Sequence, residues 1–156
     1  MTAISLKELA DRLPSGQRLL GLDVGEKTIG VAISDRARVV ASPLQTIMRS
    51  RFTKDALTLA RVCQERDVGG LVIGLPVNMN GSEGPRCQSV RQFAANLKDL
   101  AGFTLPVAFW DERLSTAAME RLLIGEADMS RQRRAKVIDK MAAAYILQGA
   151  LDAIGR

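Results

Sequence analysis

Apolar and polar positions divide the first third of the chain into three short predicted strands. Leu19 to Val24 and Ile29 to Ser34 are apolar runs joined by Gly25-Glu26-Lys27-Thr28, which is typical of a hairpin whose turn uses a glycine. Arg38 to Thr46 is a third candidate strand, with two adjacent valines in its first half and an expected end near Pro43. Three antiparallel strands are therefore predicted first.

The pattern then changes to helices alternating with strands. Between Phe52 and Cys63 apolar residues recur every three or four positions, which predicts an amphipathic helix, and a second one is expected over Gln88 to Leu100. Gly70 to Gly74 and Leu105 to Trp110 are predicted strands, the first of them buried on both faces because it contains no polar residue. The inward positions are predicted to be Phe52, Ala56, Leu59, Ala60 and Cys63 in the first helix and Val90, Phe93, Ala94 and Leu97 in the second.

Two further helices are predicted towards the end of the chain. Ser115 can cap a helix that runs to about Ile124 and ends at Gly125, and a last helix is expected from about Ser130 to Ile154. This order of elements predicts a mixed α/β sheet with helices on both faces. We expect one domain over residues 18–156, preceded by a helical N-terminal appendage over residues 1–17.

Composition restricts the chemistry. The 156 residues contain no histidine, which excludes Ser-His-Asp triads, Cys-His pairs and histidine-ligated zinc. Cys63 and Cys87 lack the spacing of metal ligands and are expected to be reduced thiols. No apolar run approaches the roughly 18 residues of a membrane span, and residues 1–17 are too charged for a secretion signal. We therefore expect a cytoplasmic protein that does not bind membranes, whose chemistry depends on carboxylates, lysines or a metal ion.

The net charge of +5 favours a polyanionic partner. Basic residues are concentrated at the start of the last predicted helix, close to Asp139; a solvated helix end would explain them equally well, but their position beside an acidic residue favours nucleic acid. Because aromatic residues make up only 4% of the chain, contact with the backbone or shape of the nucleic acid is expected to dominate over base stacking. These basic residues are Arg131, Arg133, Arg134, Lys136 and Lys140.

Acidic residues occur where the pattern predicts burial. Asp23 lies in the first apolar run, and Asp111 and Glu112 follow a later strand at the end where ligands bind in α/β sheets. Because neighbouring residues on a strand point to opposite faces, one of Asp111 and Glu112 is expected to share a face with Asp23. Asp139 is expected to head an apolar stripe at the start of the last helix. That stripe comprises Ala135, Ala142, Ala143, Ile146 and Ala150.

Each acidic residue also has a purely structural interpretation. Asp23 could cap the hairpin turn, and Asp139 could form an exposed salt bridge with Lys136 or Lys140. If the carboxylates carried by the first strand, by the later strand end and by the last helix instead meet in space, they create an oxygen-rich site for Mg²⁺ or Mn²⁺. Such ions can activate water and stabilise the leaving oxygen in phosphodiester hydrolysis.

Four stretches of the sequence resemble one known family, in order and with matching spacing. They are LDVGEKTIGVAISD from Leu22, VIGLPVNMNGSEGP from Val72, DERLST from Asp111 and RRAKVIDKMAAAYILQGALD from Arg133. Together they resemble the YqgF/RuvX-type family of Holliday junction resolvases and pre-16S rRNA nucleases. The resemblance covers about residues 18–154 and implies a ribonuclease H-like fold, with a five-stranded mixed sheet whose first three strands are antiparallel and helices on both faces. It also implies a metal-dependent nuclease site.

The resemblance also implies roles for individual residues. Asp23, Glu112 and Asp139 match the family's catalytic metal ligands, and Asp111 is a secondary candidate. Thr28 stands where the family often has arginine, a departure that affects one phosphate contact. The candidate substrate-binding residues are Lys27, Asn78, Asn80, Arg113, Arg131, Arg133, Arg134 and Lys136.

The predicted function is that of a nuclease using Mg²⁺ or Mn²⁺, acting in 5′-end maturation of precursor 16S rRNA. Resolution of four-way DNA junctions is an alternative, and a nucleic-acid-binding factor without catalysis is another. The partner is then structured RNA or branched DNA, and the protein a monomer or homodimer. The D-x-G hairpin also resembles the phosphate-binding turn of actin-like ATPases, but 156 residues cannot supply their two lobes.

Overall fold

The computed structural model describes residues 3–99, 101–114 and 131–155, without the side chains of residues 114 and 131–137. The predicted helix over residues 115–124 therefore lies outside the described residues. The described elements are α1 (Leu6–Arg12), β1 (Arg18–Val24), β2 (Thr28–Ser34), β3 (Ala41–Met48), α2 (Phe52–Glu65), β4 (Val68–Leu75), α3 (Pro85–Asp99), β5 (Val107–Asp111), a 3₁₀ turn (Glu112–Leu114) and α4 (Arg131–Ile154).

The strands form one mixed sheet in the order β3-β2-β1-β4-β5. β1 pairs antiparallel with β2 and β2 antiparallel with β3, whereas β1 with β4 and β4 with β5 pair in parallel. The predicted five-stranded sheet, with its first three strands antiparallel, is confirmed. The carboxyl ends of β1, β4 and β5 consequently lie at one edge of the sheet.

The third strand begins later than expected and continues past Pro43. The two valines that suggested its start, Val39 and Val40, are exposed and donate their amides to the carboxylate of Asp35 in the preceding turn. Pro43 is tolerated because β3 is an edge strand, and the ladder with β2 is irregular opposite it. The expected strand end at Pro43 was therefore wrong.

Helices cover both faces of the sheet. α2 and α3 pack on one face, and α4 with α1 on the other. β4 is buried along its whole length, as its continuous apolar run predicted. The predicted inward face of α3 is confirmed, but in α2 Ala60 is exposed and Val62 is buried instead.

The N-terminal segment packs against the α4 face. Ser5 caps α1 by accepting a hydrogen bond from the amide of Glu8. Leu9 is fully buried, and Leu13 joins it in the core shared with α4. The region that the sequence suggested as an appendage therefore contributes apolar side chains to this core.

Small residues allow α4 to lie very close to the sheet. A Cβ placed on Gly21 would be 2.7 Å from Cβ of Leu147, and one placed on Gly30 would overlap the carbonyl group of Asp139. On the helix, the predicted small stripe is buried at Ala142, Ala143, Ile146 and Ala150. Ala135, the first residue of that stripe, lies outside the described side chains. The small residues on the sheet and on α4 thus set the distance between helix and sheet.

The two cysteines are free and buried. Burial raises the pKa of the Cys63 thiol to about 12, so this group stays protonated and unreactive. The predicted reduced thiols are confirmed. Within the described residues, no helix is long and apolar enough to cross a membrane.

Replacement of Gly30 by alanine is expected to lower the free energy of unfolding by roughly 2–3 kcal/mol, because the added methyl group must displace the backbone of α4. Urea unfolding of the purified variant measures this. Gly155→Ala is the control, since a Cβ there would be 3.5 Å from its nearest neighbour. Equal stability of the two variants would contradict the close packing of α4.

Candidate active site

Asp23 of β1 and Glu112, the first residue of the 3₁₀ turn after β5, lie together on the α4 side of the sheet. Asp23 pairs with Gly30 in the β1–β2 ladder, and Gly74 of β4 pairs with Trp110 of β5. Glu112 follows two residues after Trp110 and lies over Gly74, where an added Cβ would be 2.7 Å from Oε1 of Glu112. A side-chain hydrogen bond joins Asp23 and Glu112. Of the two neighbouring acidic residues at the end of β5, Glu112 is therefore the one that shares a face with Asp23.

Asp139 reaches the same place from α4. Asp139 lies about two turns inside this helix and not at its start as expected, because α4 begins at Arg131, close to the predicted Ser130. Its carbonyl group lies against Gly30, the ladder partner of Asp23. Its side chain accepts a hydrogen bond from Thr28, with 2.6 Å between Oγ1 of Thr28 and Oδ2 of Asp139. Close packing of α4, rather than a helix end, brings Asp139 next to Asp23.

Asp23 is influenced electrostatically by both Glu112 and Asp139. Burial, followed by the charge of Asp23, raises the pKa of Glu112 to about 8. Burial also raises the pKa of Asp23; the hydrogen bond with Glu112 opposes this rise and the charge of Asp139 adds to it. Acidic residues with shifted pKa values that lie close together are typical of functional sites. The cluster lowers stability unless a proton or a cation neutralises it.

Asp111, the secondary candidate, is paired with Arg113. It forms a salt bridge with Arg113, in which Nη2 lies 2.6 Å and Nε 2.9 Å from Oδ2. This hydrogen bonding lowers the pKa of Asp111. Asp111 thus has a contact that orients Arg113, while its charge also adds to the raised pKa of Glu112.

Arg113 also connects to the loop between β4 and α3. Its Nη1 donates to the carbonyl oxygens of Asn78 and Met79 at 3.4 and 3.3 Å. Within the loop, Nδ2 of Asn78 donates to Oγ of Ser82, and that hydroxyl donates to Oδ1 of Asn80 at 2.6 Å. The side chains of Arg113, Asn78 and Asn80, predicted to bind substrate, therefore already hold the loop in shape.

The remaining predicted basic residues occupy two places. Lys27 is exposed in the turn between β1 and β2, at the edge of the sheet where Asp23 lies. Arg131, Arg133, Arg134 and Lys136 lie in the first two turns of α4, ahead of Asp139, and their side chains are outside the described part of the chain.

Thr28 and Arg86 belong to this site although the motifs did not predict roles for them. Thr28 orients Asp139 from 111 residues away, a relation that no local pattern could show. Arg86, in the first turn of α3, lowers the pKa of both Asp23 and Glu112 against the larger effect of burial. Its position directly after the glycine-rich loop was the only signal in the sequence.

Comparison with known proteins identifies the family. The sequence model of RuvX, described as Holliday junction resolvase, matches residues 17–153. A relative from Rhodospirillum centenum is 61% identical over 155 residues, covering 97% of this chain and 82% of its own, and one from Paramagnetospirillum magneticum is 60% identical over 152 residues, covering 97% and 96%. Both carry the name "Putative pre-16S rRNA nuclease".

Solved structures agree on the fold. Thermus thermophilus RuvC in complex with a Holliday junction substrate superposes with a TM-score of 0.54 at 16% identity, covering 88% of this chain and 94% of its own. The yeast mitochondrial Holliday junction resolvase Ydc2 gives a TM-score of 0.54 at 11% identity, covering 96% and 84%. These similarities confirm the ribonuclease H-like fold. Since the family's sequence model spans most of the residues, the chain belongs to the RuvX family.

Proposed function

We propose that this protein is a divalent-metal-dependent endonuclease that hydrolyses phosphodiester bonds of precursor 16S rRNA during maturation of its 5′ end. The observation that carries the proposal is the meeting of Asp23, Glu112 and Asp139 at the carboxyl edge of the sheet. The name shared by relatives about 60% identical over nearly the whole chain supports RNA as the substrate. Asp23, Glu112 and Asp139 are proposed as the catalytic residues.

The donor chemistry of the three acidic residues fits a hard divalent cation. Burial and mutual repulsion raise the pKa values of Asp23 and Glu112, and a cation would remove that repulsion. Among the described side chains, no three acidic or thiol groups are close enough together to hold an ion. Asp23, Glu112 and Asp139 would hold Mg²⁺ or Mn²⁺, which when bound supplies a Lewis acid and an activated water.

The surrounding residues position these carboxylates and the substrate. Thr28 fixes one oxygen of Asp139 by donating a hydrogen bond to it. Arg86 supplies positive charge near Asp23 and Glu112, where a phosphate would bring two further anionic oxygens. The loop held by Arg113 borders the same edge of the sheet. We propose that Lys27 and the basic residues at the start of α4 bind the backbone of the same nucleic acid.

A four-way DNA junction is the second candidate substrate. The description of the family and the similarity in fold to two resolvases favour it. Hydrolysis of a phosphodiester requires the same carboxylates in RNA and DNA. The two substrates must therefore be distinguished by experiment.

Cleavage of a precursor 16S rRNA fragment that spans the mature 5′ end tests the proposal. With Mg²⁺ or Mn²⁺ we expect wild-type protein to cut the RNA, EDTA to abolish cleavage, and Asp23→Asn to slow it on the order of 100-fold or more. Asp11→Asn, an exposed change on α1, is the matched control and should cut at the wild-type rate.

Three outcomes would contradict the proposal in different ways. Equal rates for wild type and Asp23→Asn would exclude the carboxylate site. Cleavage of a four-way DNA junction without cleavage of RNA would favour the second candidate. Salt-sensitive binding of both nucleic acids without cleavage of either would indicate a binding factor.

Loss of the Thr28 hydroxyl is expected to impair catalysis. Thr28→Val keeps the shape of the side chain but removes the donor to Asp139, so we expect kcat to fall about 10-fold with little change in KM. Thr28→Ser keeps the hydroxyl and should retain most of the activity. A Val variant as active as wild type in steady-state cleavage assays would show that this hydrogen bond does not position Asp139.

Replacement of Glu112 by glutamine is expected to stabilise the metal-free protein while reducing cleavage. The change removes one of two facing buried carboxylates, so at pH 8 in EDTA the free energy of unfolding should rise by roughly 1–2 kcal/mol. Thermal unfolding measures this, with the exposed Glu65→Gln as control. A Gln variant less stable than wild type would mean that the carboxylate pair is not a source of strain.

A further inference from the structure

A cleft lies at the carboxyl end of β1, on the side of the sheet covered by α2 and α3. Its volume is about 510 Å³, and it is bordered by the β1–β2 turn, the segment before α2 and the first turns of α3. The lining residues that matter for its chemistry are Gly25, Glu26, Arg49, Arg86 and Ser89. The carboxylates described above use the α4 side of the sheet, so this cleft is separate from them.

Arg49 is held in place without an acidic partner. Its Nη1 donates to the carbonyl oxygen of Gly25 at 2.6 Å, and its guanidinium carbon lies 5.4 Å from the centre of the Phe93 ring. Its backbone amide donates to the carbonyl oxygen of Lys27 at 2.9 Å. None of the salt bridges between described residues includes Arg49. An oriented guanidinium whose charge is not neutralised is suited to bind an anion.

Arg86 places a second positive charge between the cleft and the carboxylates. It is exposed in the first turn of α3, and no salt bridge within the described part of the chain includes it. It lines the cleft together with Val24 and Gly25, the two residues that directly follow Asp23. Arg86 therefore lies near the end of β1 that carries Asp23.

Strand alternation connects the cleft to the carboxylates. Asp23 turns towards α4, Val24 turns towards the core beneath α2 and α3, and Gly25 then lines the cleft. A strand of nucleic acid lying across the end of β1 would thus pass from the carboxylates to Arg49 and Arg86. The charged residues that line the cleft are two arginines, Arg49 and Arg86, and one acid, Glu26, so the net charge of the lining is positive and attracts anions.

We propose that this cleft binds a backbone phosphate of the substrate next to the scissile one, held by Arg49 and Arg86. The inference rests on the proposed function, because the ligand is the strand that the carboxylates would cut. The guanidinium groups of the two arginines and the Ser89 hydroxyl can bind phosphate oxygens without contacting the bases. The cleft sets the position of the strand over the carboxylates, independently of its sequence.

Salt-dependent binding of the precursor rRNA fragment by Arg86→Gln, measured in EDTA so that no cleavage occurs, tests this. Loss of one phosphate contact should reduce the slope of log Kd against log salt by about 0.7 and weaken binding roughly 5- to 20-fold at low salt. Arg36→Gln is the matched control, since Arg36 is exposed and paired with Asp67 at the opposite edge of the sheet. A wild-type slope for Arg86→Gln would overturn the proposal.

For Arg49, the loss of the positive charge must be distinguished from a loss of folding. Arg49→Gln should reduce the slope as Arg86→Gln does, whereas Arg49→Lys should keep it, because only the first change removes the positive charge. Thermal unfolding of both variants identifies any loss of folding. If the folded Lys and Gln variants bind with the same slope as wild type, Arg49 does not contact phosphate.

Neutral methylphosphonates introduced one at a time into the RNA locate the contact. We expect a methylphosphonate at one position to weaken binding by the wild-type protein but not to weaken binding by Arg86→Gln any further. Two changes that remove the same contact are non-additive in this way. Additive effects at every position would overturn the proposal. Because binding is measured without catalysis, a protein that binds but does not cut would refute the proposed function and still leave the cleft tested.

Discussion

The close contact between α4 and the glycines of the sheet is the constraint on which the site depends. Asp139 lies beside Asp23 only because its backbone rests on Gly30, where no side chain intervenes. Gly74 leaves the space that Glu112 occupies. A larger residue at either glycine would push α4 or Glu112 outwards and separate the carboxylates. Packing of the core and assembly of the site are therefore the same structural requirement.

Bringing these carboxylates together in a partly buried place lowers the stability of the fold, and neighbouring groups reduce this cost. Burial raises the pKa values of Asp23 and Glu112, and the two groups remain together by sharing a hydrogen bond. Thr28 donates to Asp139, and the charge of Arg86 opposes the accumulated negative charge. The apolar layers on both faces of the sheet supply the stability that such a cluster removes. A bound cation would complete the compensation, which is why we regard the cluster as functional.

Local patterns predicted the elements well where one physical effect dominated. The continuous apolar run of β4 indicated burial on both faces, and the helical period indicated α2 and α3. Prediction failed where context changed the meaning of a residue. Pro43 did not end a strand because that strand is at the edge of the sheet, and Asp139, expected at a helix start, lies about two turns inside a helix whose bounds were predicted closely.

From the sequence alone came the type and order of elements, the absence of histidine chemistry, the acidic candidates and the resemblance to the RuvX family. Strand alternation also limited the choice after β5 to one of two neighbouring acids. Only the tertiary structure placed the side chain of Glu112 beside Asp23, joined Thr28 to Asp139, connected Arg113 to its loop and brought Arg49 and Arg86 to one cleft. Periodicity and turn chemistry act over a few residues, whereas these contacts join distant segments whose separation is set by how closely α4, the loop and the sheet pack.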